Sequence, residues 1–593
     1  KMDFLGLRNL TVIDHTIKLL QQKDVIIEIE KIPMDDAKVY KLFAKGLTIG
    51  VFQFESSGMR EFLKKLKPTH FEDLIAMNAL YRPGPMKNID NFINRRSGKK
   101  KIEYVSPALK PILDETYGII VYQEQVMQIT NEIANFTLAQ ADILRRAIGK
   151  KNTELMEALK VKFINGASNN GMSKKQATNI YGLIEKFAQY GFNKSHSTAY
   201  AYISYQTAWL KTYHPAEFMA ANLTSEMNNI DRVVILINEC RKLKIDVLPP
   251  DINVSNVNFQ PIDDTSISFG MNAIKNVGGK ALDFIVAARE KDGPFNSLFD
   301  FTGRVDLQAV NKKVLESLIV SGSMDHLEGS RAEKVSTIDI ALRYGQNIQS
   351  ERYKNQVDLF GDSGNGSGVS MVPDLQEVRP WSDGESLANE KGVLGLYLTG
   401  HPLLEYADDL EDFSNHDFTE SIQDRNLKIV RIGGAIQNYK IHFDRKNKQM
   451  AFFTLECLGG HAEILVFSNT FAKYKELLSE DKIVFVSGKP TDNADFSDLK
   501  LVADEIVPLE KVRDYYAKSI NLQLDLENIL PQDIEDLHSL SKQYPGSCNL
   551  MFHYNDENQR KKRILSHNTR VSSSREFLTK LRDVYGKSNV WVL

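Results

Sequence analysis

The sequence predicts a multidomain α+β protein: a long, mostly helical part, then a small β-barrel, then a small α/β domain at the C-terminal end. Three observations predict it. Residues 8–230 carry apolar side chains at helical spacing, as at Leu10, Ile13, Ile17 and Leu20. Residues 427–509 alternate instead in five short runs: KIVRIGGAIQNYKI, QMAFFTLECLG, HAEILVFS, KIVFVSGKP and LKLVADEIVPL. A chain of 593 residues exceeds what one hydrophobic core serves, so several domains, roughly four, are expected.

Composition narrows the function classes. Hydrophobic content of 42% and charged content of 25% are ordinary for a soluble globular protein. No apolar run approaches a membrane span and no signal peptide is visible, so a cytoplasmic protein without membrane contact is expected. Cys240, Cys457 and Cys548 are far apart, lack metal-ligand spacing and read as reduced thiols. Charge is unevenly divided. Residues 1–230 hold 31 Lys+Arg against 23 Asp+Glu, a net of +8, and the other 363 residues hold 43 against 54, a net of -11. A basic half joined to an acidic half suits nucleic acid at one end and protein partners at the other. The chain opens Lys-Met-Asp-Phe, inside sequence that already has the character of a strand, and is expected to be part of a longer protein.

Taken in order, KMDFLGL (1–7) places Asp3 among strand-forming apolar residues, where a carboxylate is costly unless paired or metal-bound. ALYRPGP sets Arg82 directly before the breaker Pro83-Gly84-Pro85. YGIIVYQEQVMQIT (117–130) is a short apolar run, containing Tyr122 and Gln123, that feeds a helix. LRRAIGKKN packs Arg145, Arg146, Lys150 and Lys151 into seven residues. In YGFNKSHSTAYAYISYQTAWLK (190–211), Gly191-Phe192-Asn193 reads as a turn. Ser195 or Ser197 is placed to cap a helix that runs to about Tyr213, and Pro215 begins the next one. No Asp or Glu occurs between Glu185 and Glu217. A cationic, hydroxyl-rich helix start of this kind suits phosphate. Spacing puts Ala199, Ile203 and Leu210 on one face and Tyr200, Ser204, Thr207 and Lys211 on the other.

MNAIKNVGGKALDFIVAAREKD (271–292) reads as helix, Val277-Gly278-Gly279, helix, a helix-hairpin-helix whose glycines let the backbone approach a phosphate. Lys275, Gly278, Gly279 and Lys280 are its DNA-binding candidates, and 310–326 looks like a degenerate second copy. Residues 350–370 read as a polar linker that carries Gln356-Val357-Asp358-Leu359-Phe360, whose Leu-Phe has no core to join and suits a partner pocket. The five strands, with a helix-like insert at Thr470–Leu478, match an OB-fold. Tyr439, Arg445 and Lys446, with His442, Phe443 and Phe452, are candidates for single-strand contacts there, the reading favoured although many OB-folds bind protein instead. The RKKR run at 560–563 is a basic patch of low specificity.

Together KMDFLGL, FQFESSGM, LYRPGP, YGIIVYQEQVM, LRRAIGKK, YGFNKSHSTAYAYISYQTAWLK, LPPDIN, the glycine hairpin, QVDLF and GLYLTGHPL (395–403) make a set far more specific than any member. On that set the chain resembles the C-terminal half of the bacterial DNA polymerase III alpha subunits, the C-family replicative polymerases. The resemblance implies the end of a palm domain at 1–7, fingers at 8–268, a helix-hairpin-helix and clamp-binding region at 269–400, an OB-fold at 425–510 and a tail domain at 511–593. It implies template-directed DNA synthesis by a nucleotidyltransferase with two Mg²⁺ ions, one of whose aspartates is Asp3. The remaining palm aspartates belong to a PD-x-D motif that is not in this sequence, so the chain alone is expected to be inactive. Arg82, Tyr122, Gln123, Arg145, Arg146, Lys150, Lys151, Asn193, Lys194, Ser195 and His196 become the candidates for nucleotide binding. Gln356, Asp358, Leu359 and Phe360 match the sliding-clamp motif. The implied partners are primer-template DNA, single-stranded template, deoxynucleoside triphosphates, the sliding clamp and the clamp-loader tau subunit. A 3′–5′ exonuclease partner would act through sequence outside this chain. The alternative is a non-catalytic DNA- and clamp-binding adaptor, and Asp3 in a palm-like strand argues against it.

Overall fold

Helix Arg8–Gln21 forms as its spacing predicts, although Leu10 stays 48% exposed and Val12, Ile13, Thr16 and Leu20 carry the buried stripe. In this computed structural model the residues described are 6–149, 153–188, 191–357, 372–416, 418, 428–458, 460–491, 499–524, 530–555 and 561–593. Asp3, Lys150, Lys151, Asp358, Leu359 and Phe360 therefore lie outside the described residues. The chain divides into two units, Lys1–Thr399 and Gly400–Leu593. Among the described residues no helix is long and apolar enough to cross a membrane.

The first unit is helical and has two hydrophobic cores. The larger runs from Val12 to Leu396, so the boundary expected at 268 falls inside one continuous core. At its centre is helix Phe71–Leu80, buried from Asp73 to Leu80. A carboxylate there needs a partner, and both Asp73 oxygens take Arg96 at 2.7 Å while Arg96 also donates to the Leu66 carbonyl at 3.0 Å. The smaller core runs from Leu109 to Ile184 and is built by helices Gln123–Ala134, Leu138–Gly149, Thr153–Asn169 and Lys174–Ala188. Phe136, Phe163 and Tyr181 form an aromatic chain through it. Gly166 is required by close approach: a Cβ there would stand 2.3 Å from the Ala134 carbonyl oxygen.

A small sheet follows, with β1 (Asp246–Leu248) parallel to β3 (Ser266–Ser268) and β2 (Gln260–Pro261) antiparallel to β3. The hairpin region departs from its expected form. The segment before the glycines is a single 3-10 turn, Met271–Ala273, and only the second helix, Gly279–Asp292, is regular. The second copy is helix Lys312–Val320 followed by a turn at Gly322, φ +83°. The linker expected at 350–370 is also corrected at its start, because helix Arg331–Val357 continues through Gln356.

The second unit opens with a 3-10 turn, Pro402–Tyr406, and helix Ala407–Phe413, followed by the barrel: β4 (Val430–Phe443), β5 (Gln449–Cys457), β6 (Gly460–Val466), β7 (Ile483–Pro490) and β8 (Leu499–Pro508). It closes in the order β4-β5-β6-β8-β7, with β6 and β8 parallel. Helix Ser468–Tyr474 is the expected insert. The tail is a four-stranded sheet, β11 (Lys561–Val571), β10 (Pro545–Asn555), β9 (Ser519–Gln523) and β12 (Val590–Val592) in that order. Helices Pro531–Gln543 and Arg575–Tyr585 contribute Leu537, Phe577, Leu578 and Leu581 to a core that includes Ile520, Leu522, Leu550, Val590 and Val592 of the sheet. Asp409 pairs with Arg513 and Arg575, and Asp412 with Arg513 and Arg582, which fastens helix Ala407–Phe413 to the tail.

Candidate nucleotide site

The site is organised by one parallel bridge between two extended residues, Tyr122 and Phe192. Gln123 N–H donates to the Phe192 carbonyl at 2.9 Å, and Phe192 N–H donates to the Val121 carbonyl at 3.3 Å. The expected turn at Gly191-Phe192-Asn193 is therefore an extended segment, held straight by a partner remote in sequence. The Gln125 side chain supports the other half: its carbonyl accepts Val121 N–H at 2.8 Å and Tyr122 N–H at 3.0 Å. Tyr122 is buried, and burial raises its phenol pKa, so it stays neutral.

Helix Lys194–Tyr213 starts immediately after the bridge. Its cap is Asn193, not Ser195 or Ser197: the Asn193 side chain accepts His196 N–H at 2.7 Å. Ser197 instead donates to the Ile75 carbonyl at 2.6 Å and is buried, whereas Ser195 is exposed. Both faces set by the spacing are partly covered: Leu210 is buried on one and Ser204, Thr207 and Lys211 on the other, while Ala199 is exposed. The polar side chains are satisfied internally: Thr207 accepts Phe52 N–H at 3.2 Å, and Lys211 donates to Leu47 and Ile49 carbonyls at 2.8 Å and pairs with Glu239 at 2.5 Å.

Cations gather at the bridge. Lys194 lies over the Tyr122 ring, 5.5 Å from its centroid, and the Arg82 guanidinium lies over Phe192 at 3.8 Å. Gln123 links the bridge to the next helix: its amide donates to the Gly191 carbonyl at 2.9 Å and its side-chain carbonyl accepts from Arg145 at 3.1 Å. The acid-free stretch is acid-free only in sequence. Lys194 pairs with Glu115 at 2.6 Å and its backbone N–H donates to Glu124 at 2.9 Å. Asp142 holds both Arg145 and Arg146 at 2.7 Å, and those bonds, Arg145's first, lower its carboxyl pKa. Three carboxylates thus occupy positions that an anionic ligand would compete for.

Beside the bridge is a narrow cleft lined by Gln53, Asn78, Tyr81, Arg82, Phe192, His196 and Tyr200, among others. Phe192, His196 and Tyr200 form a ladder, with the last two rings stacked at 4.3 Å. The Asn78 amide nitrogen in this cleft is buried without a hydrogen-bond partner. Gln53 is held at φ +63°. Of the expected residues, Arg82, Tyr122, Gln123, Arg145, Asn193, Lys194 and His196 converge here, and Arg146 joins through Asp142. Sequence reasoning missed Gln53, Asn78, Tyr200, Glu115, Glu124 and Asp142; usable signals were Asn78, a polar residue in the apolar run Leu74–Leu80, and Asp142, spaced for a helical ion pair with Arg145 and Arg146.

The other candidates are dispersed. Lys275, Gly278 and Lys280 are exposed, and a Cβ at Gly278 or Gly279 would meet nothing within 4 Å. Arg445 and Lys446 are exposed at the β4–β5 turn. Tyr439 packs against the barrel core, and burial raises its pKa, so its ring is less open to a base than expected. No group of three or more His, Cys, Asp or Glu among the described residues is placed to hold a metal ion.

Family models match four parts of the chain. They are the bacterial DNA polymerase III alpha subunit finger domain at 9–171, a helix-hairpin-helix motif at 244–334 and an OB-fold nucleic acid binding domain at 430–509. The fourth, at 520–584, is the C-terminal domain of the DNA polymerase III alpha subunit. This combination defines a polymerase subunit with DNA-binding domains. A DNA polymerase III subunit alpha of Pseudomonas aeruginosa is 39% identical over all of this chain and 53% of its own length. Those of Escherichia coli K12 and Borreliella burgdorferi are 37% and 38% identical, again over all of this chain and 52% of their own. The chain belongs to the bacterial DNA polymerase III alpha subunit family and spans about half the length of the relatives it matches. A solved mitochondrial single-stranded DNA binding protein from S. cerevisiae aligns at 17% identity over 13% of this chain and 90% of its own with a TM-score of 0.12, a likeness that carries no argument.

Proposed function

We propose that this chain supplies the fingers and the downstream DNA contacts of a replicative DNA polymerase, and that the Tyr122–Phe192 bridge is where the incoming deoxynucleoside triphosphate is held. The observation that supports this best is the convergence of Lys194, Arg145 and Arg82 on the two bridged residues and their neighbour Gln123, at the start of a long helix. Phosphates would displace Glu115, Glu124 and Asp142 and take charge-assisted hydrogen bonds in their place. The aromatic ladder and the unpartnered Asn78 amide would face the nucleoside, the first by stacking and the second by donating.

In this reading Mg²⁺ would supply the charge that activates a primer hydroxyl and steadies a leaving pyrophosphate, with Asp3 one of its ligands; the described residues do not by themselves form such a site. Gln356, Asp358, Leu359 and Phe360 would engage the sliding clamp, the hairpin glycines duplex DNA, the OB barrel the single-stranded template and the tail domain the clamp-loader tau subunit; all are cytoplasmic partners.

The test is Lys194→Ala and Arg145→Ala in the full-length parent polymerase. Each should raise the apparent KM for nucleotide by about tenfold or more, as for loss of a charge-assisted contact, with primer-template affinity unchanged. An unaltered KM in both variants overturns the assignment.

A further inference from the structure

The tail sheet has one face packed by helices; on the other, Asn521 is buried under its neighbours while Trp591, Met551, Gln523 and His553 are part-exposed and Leu565 and Arg563 exposed. Strand register defines this second face. Trp591 pairs with Asn521, which pairs with Met551, which pairs with Leu565. Two residues along, Gln523 pairs with His553 and His553 with Arg563. These residues point away from the helix-covered side because their neighbours, Leu522, Leu550, Val590 and Val592, fill the core.

Two properties mark this face. The first is an aromatic platform. The His553 and Trp591 rings lie 4.8 Å apart, and Asn521 fixes the imidazole at 2.9 Å. Trp591 is only half-buried although its strand neighbours are buried. The second is charge. Lys561, Arg563 and Arg570 are exposed along β11, the edge strand. No Asp or Glu stands at any strand position that register places on this face. Yet residues 231–593 carry 54 acidic side chains against 43 basic ones, so a carboxylate-free face goes against the local composition.

We propose that this part-exposed sheet face is a second binding surface for single-stranded nucleic acid, separate from the barrel. Bases stack on Trp591 and His553 while phosphates run along the β11 cations. An acidic peptide would satisfy the cations but leaves the half-exposed indole without a flat partner, so charge and ring together favour nucleic acid.

The experiment uses the whole 593-residue chain. Arg445→Ala/Lys446→Ala is introduced throughout to weaken the barrel loop, and binding of a fluorescent oligothymidylate is followed by anisotropy. In that background Trp591→Ala should weaken binding by about five- to a hundredfold, the range expected for one lost base–aromatic stack. Trp591→Phe should keep most of the affinity. Arg563→Gln, an exposed change that does not test the core, should weaken binding severalfold and lower its salt dependence. Ultraviolet cross-linking of an iodouracil oligonucleotide should mark the peptide containing His553 or Trp591. Unchanged affinity in both Trp591→Ala and Arg563→Gln, or cross-links confined to the barrel, overturns the proposal. So does binding of a polyglutamate peptide that both changes abolish while oligothymidylate binding persists, which would make the face a protein-docking surface.

Discussion

Lys211 is fully buried, and its ammonium meets two backbone carbonyls and Glu239. Burial pulls its pKa down and Glu239 opposes that shift, so the charge depends on the pair remaining intact. Lys211→Met should therefore cost about 3–5 kcal/mol in urea denaturation, because Glu239 is left charged and unpartnered. Adding Glu239→Gln should recover part of that loss; no recovery would mean that lost packing, not the orphaned carboxylate, is the cause. His214, at the junction before Pro215, carries a pH signature. Burial holds its imidazole below the ordinary 6.5. The unfolded chain then binds the proton more readily, so the first unit loses stability as pH falls below about 6.5. His214→Gln should flatten that part of the stability–pH curve, and an identical curve in the variant would refute the role.

At the scale of elements, two glycines give opposite expectations. Gly166 sits within helix Thr153–Asn169, where alanine normally gains up to about 1 kcal/mol. Here the added Cβ would meet the Ala134 carbonyl oxygen at 2.3 Å, and backbone cannot give way as a flexible side chain can. Overpacking, about 1–3 kcal/mol, should win, so Gly166→Ala should lower the melting temperature of the finger region. Gly278 has open space instead. Gly278→Val should leave thermal stability nearly unchanged yet weaken duplex DNA binding equally across unrelated sequences, since only backbone approach is blocked. A strongly sequence-dependent loss would show that the hairpin reads bases.

Elements were legible in the sequence where local pattern decides them. Helix Lys194–Tyr213, the Pro215 start and the barrel strands follow from spacing and breakers. The burial of the polar face of helix Lys194–Tyr213 was not legible, because Thr207 and Lys211 are satisfied by segments far away in sequence. Nor was the Tyr122–Phe192 bridge, which makes the chain extended at Phe192 where its composition indicates a turn. The same non-local pairing explains why Lys194 was recognised at the site and its partners Glu115 and Glu124 were not; Asp142, three and four residues before Arg145 and Arg146 on one helix, was legible from spacing.

For the whole molecule, the segment after helix Arg331–Val357 is the place to separate assembly from folding. Leu359→Ala/Phe360→Ala in the full-length parent should weaken clamp binding by roughly two orders of magnitude, from about 1.5–3 kcal/mol for each apolar side chain less ordering costs. Short-primer extension without clamp should persist and long clamp-dependent products should disappear. Clamp affinity equal to wild type would direct attention to the tail domain. A last consequence follows from the two cores of the first unit. The four helices that build most of the smaller core, from Gln123–Ala134 to Lys174–Ala188, all lie between Tyr122 and Phe192, which are bridged to each other. The two ends of that helical run therefore adjoin, as in a module spliced into a host loop. Such a cassette can be lengthened, shortened or exchanged between relatives without rethreading the surrounding core, which gives evolution a way to retune the grip on the substrate while the host scaffold stays fixed.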